Sequence, residues 1–270
     1  MLKDYPYFTE LWRICQGEDG FAVWILQHFR RLGLTETAAR GMMGKTTPKG
    51  AKHMTNEERI ARTETFLKKQ FAESEALRKN PADRDYRLEH SYRVANIAKG
   101  IAEAEGFDVT QAVIAGLLHD IAYCEEMQTR EDWKNHGRRS AAIARPFLRS
   151  LGYDEAAVNK ICYGIAIHVD DEADFEWERT AFSETVGDAD NIDRYDAYRI
   201  HEGLIYQKYR ESTLEEKRET VGSTLNRLRE LKDVRFGTPT AQRLWTQRLE
   251  FNIVFYEKLQ AQLENSTSIL

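Results

Sequence analysis

The stretch Ala112-Val113-Ile114-Ala115-Gly116-Leu117-Leu118-His119-Asp120 sets how the remainder of the chain is read. An unbroken apolar run of this length reads as a core helix, and this one delivers an imidazole and a carboxylate side by side at its end. Both groups are costly to bury unless something compensates them. A metal ion would compensate both.

The flanking segments carry helical periodicity. Upstream, the spacing predicts a helix from about Tyr86 to Glu105, with Val94, Ile97, Ala98 and Ile101 at offsets of three and four and Gly106 as its stop. His90 lies one turn before Val94 and so faces inward. Earlier still, Thr55 and Glu58 have capping-box spacing, and Ile60, Phe66, Leu67 and Phe71 line an apolar face before Asn80-Pro81 ends the element.

Downstream, a helix is expected from about Asn135 to Leu151, stopped by Gly152. Asp154 then caps a segment that places Ile161, Ile165 and His168 on one inward face. Beyond an acidic loop, Asp170 to Glu178, one long helical region runs through Val186, Asp190, Asp193 and Ala197 to Tyr209. Two closing helices, Leu214 to Lys232 and Thr238 to Glu264, are separated by Phe236-Gly237-Thr238-Pro239. Strand alternation and internal repeats are absent from the pattern, so the expected class is all-α, a helical bundle.

Composition narrows the function. The 270 residues, 41% hydrophobic and 31% charged, suit one sizeable globular domain with or without an extension. The net charge of −5 is spread over interleaved acids and bases, which argues against a nucleic-acid-binding face. Cys15, Cys124 and Cys162 are too few and too scattered for a disulfide framework or a cysteine zinc site, and a reducing cytoplasm is expected. The start lacks a signal-peptide pattern. Its most apolar run, Phe21 to Leu26, is far short of the roughly 20 residues that span a bilayer, so no membrane association is expected.

Residues 1 to 54 differ from the rest, with eight basic and five acidic positions. Trp12, Trp24 and Phe29 fall on a short helical stretch, and Gly41 to Gly50 reads as a linker. This segment is treated as an N-terminal extension to a domain spanning 55–265.

Five of the seven histidines, His90, His119, His136, His168 and His201, are interleaved with Asp120, Asp188, Asp190 and Asp193. Histidine and carboxylate ligands from several helices make a mixed nitrogen and oxygen site, suited to manganese, iron, nickel, cobalt, zinc or magnesium. A lone inward histidine is more often a hydrogen-bonded core residue, and His201, His28 and His53 are read as surface or incidental. It is the set that points to a metal.

Three motifs carry a resemblance: Arg87-Leu88-Glu89-His90-Ser91, Gly116-Leu117-Leu118-His119-Asp120-Ile121 and Gly187-Asp188-Ala189-Asp190-Asn191-Ile192-Asp193. Together they resemble the HD-domain metal-dependent phosphohydrolase superfamily. They look most like its compact bacterial branch of predicted hydrolases, which includes nucleoside-triphosphate pyrophosphohydrolases. The likeness covers about residues 57 to 264, including the closing helix from Thr238 through Arg248 and Phe251.

The resemblance implies that His90, His119, Asp120 and Asp190 hold a divalent metal ion. Asp190 is chosen over Asp188 because the family's last ligand follows an alanine and precedes a short apolar stretch. Asp193 would sit behind that ligand or touch substrate. His136 and His168 match positions where some branches add histidines, as ligands to a second metal or as groups that bind phosphate. One or two ions are therefore expected, and two such ions lie about 3.5–4 Å apart. Asp120 would also orient the attacking water. Lys134, Arg138, Arg139 and Arg194 could neutralise phosphate charge, with Lys134, Asp193 and Arg194 as the substrate-binding set.

The expected activity is hydrolysis of a phosphoester or phosphoanhydride bond in a small, phosphorylated, nucleotide-like substrate. A homo-oligomer is compatible with this. The alternatives are a di-iron phosphodiesterase or oxygenase of the same fold, and a non-catalytic nucleotide-binding regulatory module that retains the metal site while its N-terminal extension recruits a partner.

Overall fold

The computed structural model describes residues 54–269, within which regular structure is helical throughout. Trp12, Trp24, Phe29, Cys15, His28, His53 and the Gly41 to Gly50 linker lie outside the described residues.

Among the described residues there are ten α-helices. They are α1 (Asn56–Glu73), α2 (Glu75–Lys79), α3 (Pro81–Glu105), α4 (Val109–Leu118), α5 (Arg130–Ser150), α6 (Glu155–Ala166), α7 (Ala181–Asp193), α8 (Ala197–Tyr206), α9 (Leu214–Glu230) and α10 (Pro239–Glu264). Short 3-10 turns occupy Ile121–Cys124, Tyr209–Glu211 and Leu231–Asp233.

Most termini are set by local chemistry. The Thr55 hydroxyl accepts from the Glu58 amide at 3.1 Å while the Glu58 carboxylate accepts from the Thr55 amide at 2.8 Å, so two otherwise orphaned donors are satisfied at the start of α1. The same reciprocal arrangement between Thr129 and Asp132 starts α5 at Arg130, more than a turn before the apolar pattern begins near Asn135. Asn80-Pro81 ends one helix and also begins the next, because proline at the first helical position gives up an N–H that had no partner there. Thus α3 starts at Pro81 rather than Tyr86. Gly106, at φ 72°, closes it in the left-handed conformation that glycine adopts without strain.

The region expected to run unbroken to Tyr209 is divided into α7 and α8. At the break Asp196 takes φ 149°, ψ −179°, a backbone region costly for any residue with a Cβ. Its carboxylate accepts from the Ala197 amide at 2.7 Å and faces Arg248 Nε of α10 at 3.3 Å, which anchors the bend.

Helix α4 lies at the centre, packed against α1, α3, α6 and α7, and all of Ala112 to Leu118 is buried. A helix apolar on every side has to be enclosed in this way. Gly116 permits the closest approach: a Cβ there would lie 2.7 Å from Ala95 Cα of α3. Gly137 does the same for α5 and α6, where a Cβ would stand 2.6 Å from the Ala166 carbonyl oxygen. The α9–α10 pair packs on itself, and α10 also rests on α7 and α3. No described helix is long and apolar enough to cross a membrane.

Candidate metal centre

The end of α4 opens into the core. His119 forms its C-cap and Asp120 follows directly, both buried, and the chain then turns through Ile121–Cys124. Around this dipeptide converge His90 from α3, His136 from α5, His168 just past the end of α6 and Asp190 from α7, all buried. Each of these residues was singled out in the sequence, and the fold brings all six together.

The two oxygens of Asp120 divide the cluster. Oδ2 lies 3.6 Å from both His90 Nε2 and His119 Nε2, and Asp190 Oδ1 stands 3.2 Å from the same His90 nitrogen. Oδ1 lies 3.1 Å from His136 Nε2 and 3.6 Å from His168 Nε2. Among the described residues, His90, His119 and Asp120 form one group able to hold an ion, and Asp120, His136 and His168 form another.

The other ring nitrogens settle which atoms are donors. His119 Nδ1–H donates to the Gly116 carbonyl at 2.8 Å, His168 Nδ1–H to the Ile165 carbonyl at 2.7 Å, and His136 Nδ1–H to the Trp133 carbonyl. His90 Nδ1–H donates instead to Asp193 Oδ2, at 2.8 Å. Carbonyl and carboxylate oxygens accept here, so each Nδ1 carries a proton and each Nε2 faces the cluster. Nε2 of His90 and His119 are 3.2 Å apart, and those of His136 and His168 are 3.1 Å apart. Nitrogens and carboxylate oxygens converging at such distances form a donor set that a cation can enter by displacing the proton of His90. The donor set of imidazole nitrogens and carboxylate oxygens fits a divalent metal.

Electrostatics agree. Burial would raise both Asp120 and Asp190, but the surrounding histidines, with Arg194 beside Asp190, hold both well below the usual carboxylate range. Burial pushes His119 down to about 4, a neutral ring ready to donate its lone pair. His90 moves the other way: burial opposes its charge, but hydrogen bonds to Asp190 and Asp193 raise it to about 9.

Three arginines back the three carboxylates. Arg87 Nη1 donates to Asp120 Oδ2 at 3.1 Å, Arg194 Nη2 to Asp190 Oδ2 at 2.7 Å, and Arg93 Nε to Asp193 Oδ1 at 2.9 Å. The Arg87 guanidinium is buried and lies 3.6 Å from the centre of the Tyr123 ring. Arg87, Arg93 and Tyr123 were given no role in the sequence. Arg87 and Arg93 sit three residues before and after His90 on one helix face, a spacing that could have marked them.

The remaining candidates lie elsewhere. Asp188 is buried but turned to the α9–α10 connection, where its Oδ2 accepts from the Gly237 amide at 3.0 Å. Lys134 is half exposed, with Nζ 3.9 Å from Asp170. Arg138 is engaged by Asp170 and Glu172, Arg139 by Asp132 and Glu125, and His201 is exposed beside Glu202.

Residues 87–198 match the HD domain family, a span that begins at Arg87 and takes in the whole cluster. The chain carries an HD domain. No curated protein matches it. Among solved structures, the HD domain and its surroundings resemble a predicted HD superfamily hydrolase from an uncultured Thermotogales bacterium, at 22% identity and TM-score 0.53, covering 75% of this chain and 92% of that one. Bacillus subtilis YpgQ in complex with ADP is similar at 18% identity and TM-score 0.53, over 77% of this chain and 97% of that one. YpgQ solved separately gives 19% identity and TM-score 0.52, over 77% and 97%. At these identities the likeness establishes a shared all-α fold.

Proposed function

We propose that this HD domain is a metal-dependent phosphohydrolase that splits a phosphoester or phosphoanhydride bond of a small nucleotide-like substrate in the cytoplasm. The observation that carries the reading is the division of Asp120: one oxygen faces His90, His119 and Asp190, and the other faces His136 and His168. His90, His119, Asp120 and Asp190 would hold one divalent ion, and Asp120, His136 and His168 a second, with the carboxylate shared. Such ions supply Lewis acidity toward a phosphoryl oxygen and lower the pKa of water. The functional unit is assigned to residues 55–265.

The chain's own groups complete the site. Arg87 donates to Asp120 Oδ2, the oxygen that also faces His90 and His119, and so restrains the rotation of that carboxylate. Arg194 is partly exposed and carries a planar fork suited to a phosphate as well as to Asp190. Lys134, two residues before His136 on α5, holds its ammonium 3.9 Å from Asp170 and would have to leave that carboxylate to meet a phosphorylated ligand. Buried Tyr123 and Trp133 exclude water beside His136. The nucleotide class draws support from the ADP bound to YpgQ.

The test is a panel of nucleotides and phosphoesters assayed with manganese, nickel, cobalt, zinc, magnesium and iron, with products identified by chromatography. Turnover that needs added metal and disappears in His119→Ala/Asp120→Ala is the expected result. Full metal content and full activity in that variant would sink the proposal. Oxygen consumption that tracks iron would point to the di-iron alternative, and tight nucleotide binding without turnover to a regulatory module.

A further inference from the structure

We infer that Arg93, acting through Asp193, is a positioning residue for His90, and that α8 holds it in place. The inference rests on the reading of His90 as a metal ligand and extends it to residues outside the cluster.

His90 differs from its three companions in what fixes its ring. His119, His136 and His168 each rest Nδ1–H on a main-chain carbonyl three residues earlier, which the helix itself holds still. His90 rests on a side chain, Asp193 Oδ2, at 2.8 Å. A carboxylate on rotatable bonds can aim a ring only if it is itself held. Asp193 is the last residue of α7, next to the break at Asp196, so its own helix restrains it least there.

Arg93 supplies that restraint. Its Nε donates to Asp193 Oδ1 at 2.9 Å, so both carboxylate oxygens are engaged. It is also on α3, three residues after His90, so ligand and brace share one rigid helix. Arg93 in turn lies with its guanidinium 4.1 Å from the centre of the Tyr198 ring and its Nη1 3.9 Å from Glu89 Oε2, to which Tyr198 donates its hydroxyl at 3.1 Å. Tyr198 reaches this position because α8 leaves α7 through the strained Asp196 bend, anchored by Arg248. The line runs from an exposed tyrosine, through Arg93 and Asp193, to His90. Its output is His90 Nε2 held toward Asp120 and Asp190, with a carboxylate behind the ring that strengthens this nitrogen as a ligand once its proton is displaced.

A plain ion pair tying α3 to α7 would use the same two residues, and metal binding separates the two accounts. Full-length protein is freed of metal with a chelator and titrated with Co2+, whose visible absorption reports the ligand field of the first equivalent, and in parallel with Mn2+ read by the resonance of the free ion. Melting of the metal-free protein checks folding. Asp193→Asn is expected to weaken the first equivalent roughly 10–100-fold and to shift the cobalt bands. Arg93→Gln is expected to weaken it about 3–10-fold, with a band shift in the same direction. Arg93→Lys, which keeps the charge without the planar fork, falls between wild type and Arg93→Gln. Because the two residues act in series, Arg93→Gln adds nothing in the Asp193→Asn background.

Wild-type affinity and bands in both Arg93 variants would overturn the inference, as would losses that add in full in the double variant. If Arg93→Gln does not fold, Arg93→Lys measured against wild type decides. Wild-type protein that takes up no ion would instead overturn the metal reading, an outcome distinct from both.

Discussion

Gly137→Ala tests how closely the packing of two helices is tied to the chemistry of the site. A Cβ at position 137 would stand 2.6 Å from the Ala166 carbonyl oxygen, 3.2 Å from the Ile165 carbonyl oxygen and 3.2 Å from His168 Nδ1. Ordinary contact begins at 3.4 Å, so α5 and α6 have to part by about 0.8 Å locally. Overpacking of this kind costs about 1–3 kcal/mol, which for a domain of this size lowers the melting temperature by roughly 2–12 °C. The same shift falls between His136 and His168, whose Nε2 atoms are 3.1 Å apart, and exceeds the ~0.5 Å within which a ligand set keeps its geometry. The expected result is a folded but less stable protein that binds its first metal equivalent normally and loses the second. Calorimetric melting and metal titration of the same preparation read both effects. An unchanged melting temperature with two equivalents still bound would refute the packing argument and the assignment of α5 and α6 to the second position together.

Two further outcomes follow from the buried charges. Asp188 is raised by burial to about 8, only partly offset by the Gly237 amide, so the folded state holds a proton there that the unfolded chain releases near pH 4. The stability that this proton contributes is complete below about pH 4 and is lost as pH rises through 8. Asp188→Asn should therefore gain stability relative to wild type steadily across that window in urea unfolding, and a constant difference would contradict it. His90 is raised to about 9, so an ion entering at neutral pH has to displace its proton, whereas His119, pushed down to about 4, has none to release. Affinity for the first equivalent should climb about tenfold per pH unit below 9, with close to one proton released. Titration calorimetry in buffers of different ionisation heat measures that number, and zero would be inconsistent with a protonated His90.

Much of the molecule is legible in the chain because it depends on local pattern. Helical periodicity, caps and breakers lie within a few residues of one another, so the all-α class and most of the helices can be read directly. The inward faces of His90 and His168 and the terminal position of His119-Asp120 follow from the same spacing. The misread points are those where a local signal is ambiguous: Pro81 stops one helix and starts another, Thr129 and Asp132 cap α5 ahead of its apolar face, and the bend at Asp196 depends on Arg248, far along the chain.

By itself, then, the sequence determined which side chains turn inward and in what order they occur. Only the tertiary structure decided how they meet. That Asp120 shares its two oxygens between two pairs of histidines, that Asp190 faces His90 while Asp188 faces Gly237, and that Arg93 braces Asp193 all depend on how α3, α4, α5, α6 and α7 cross. Those crossings are set by close approaches such as Gly116 on Ala95 and Gly137 on Ala166. Contacts of that kind join residues distant in the chain, and periodicity along a single helix carries no record of them.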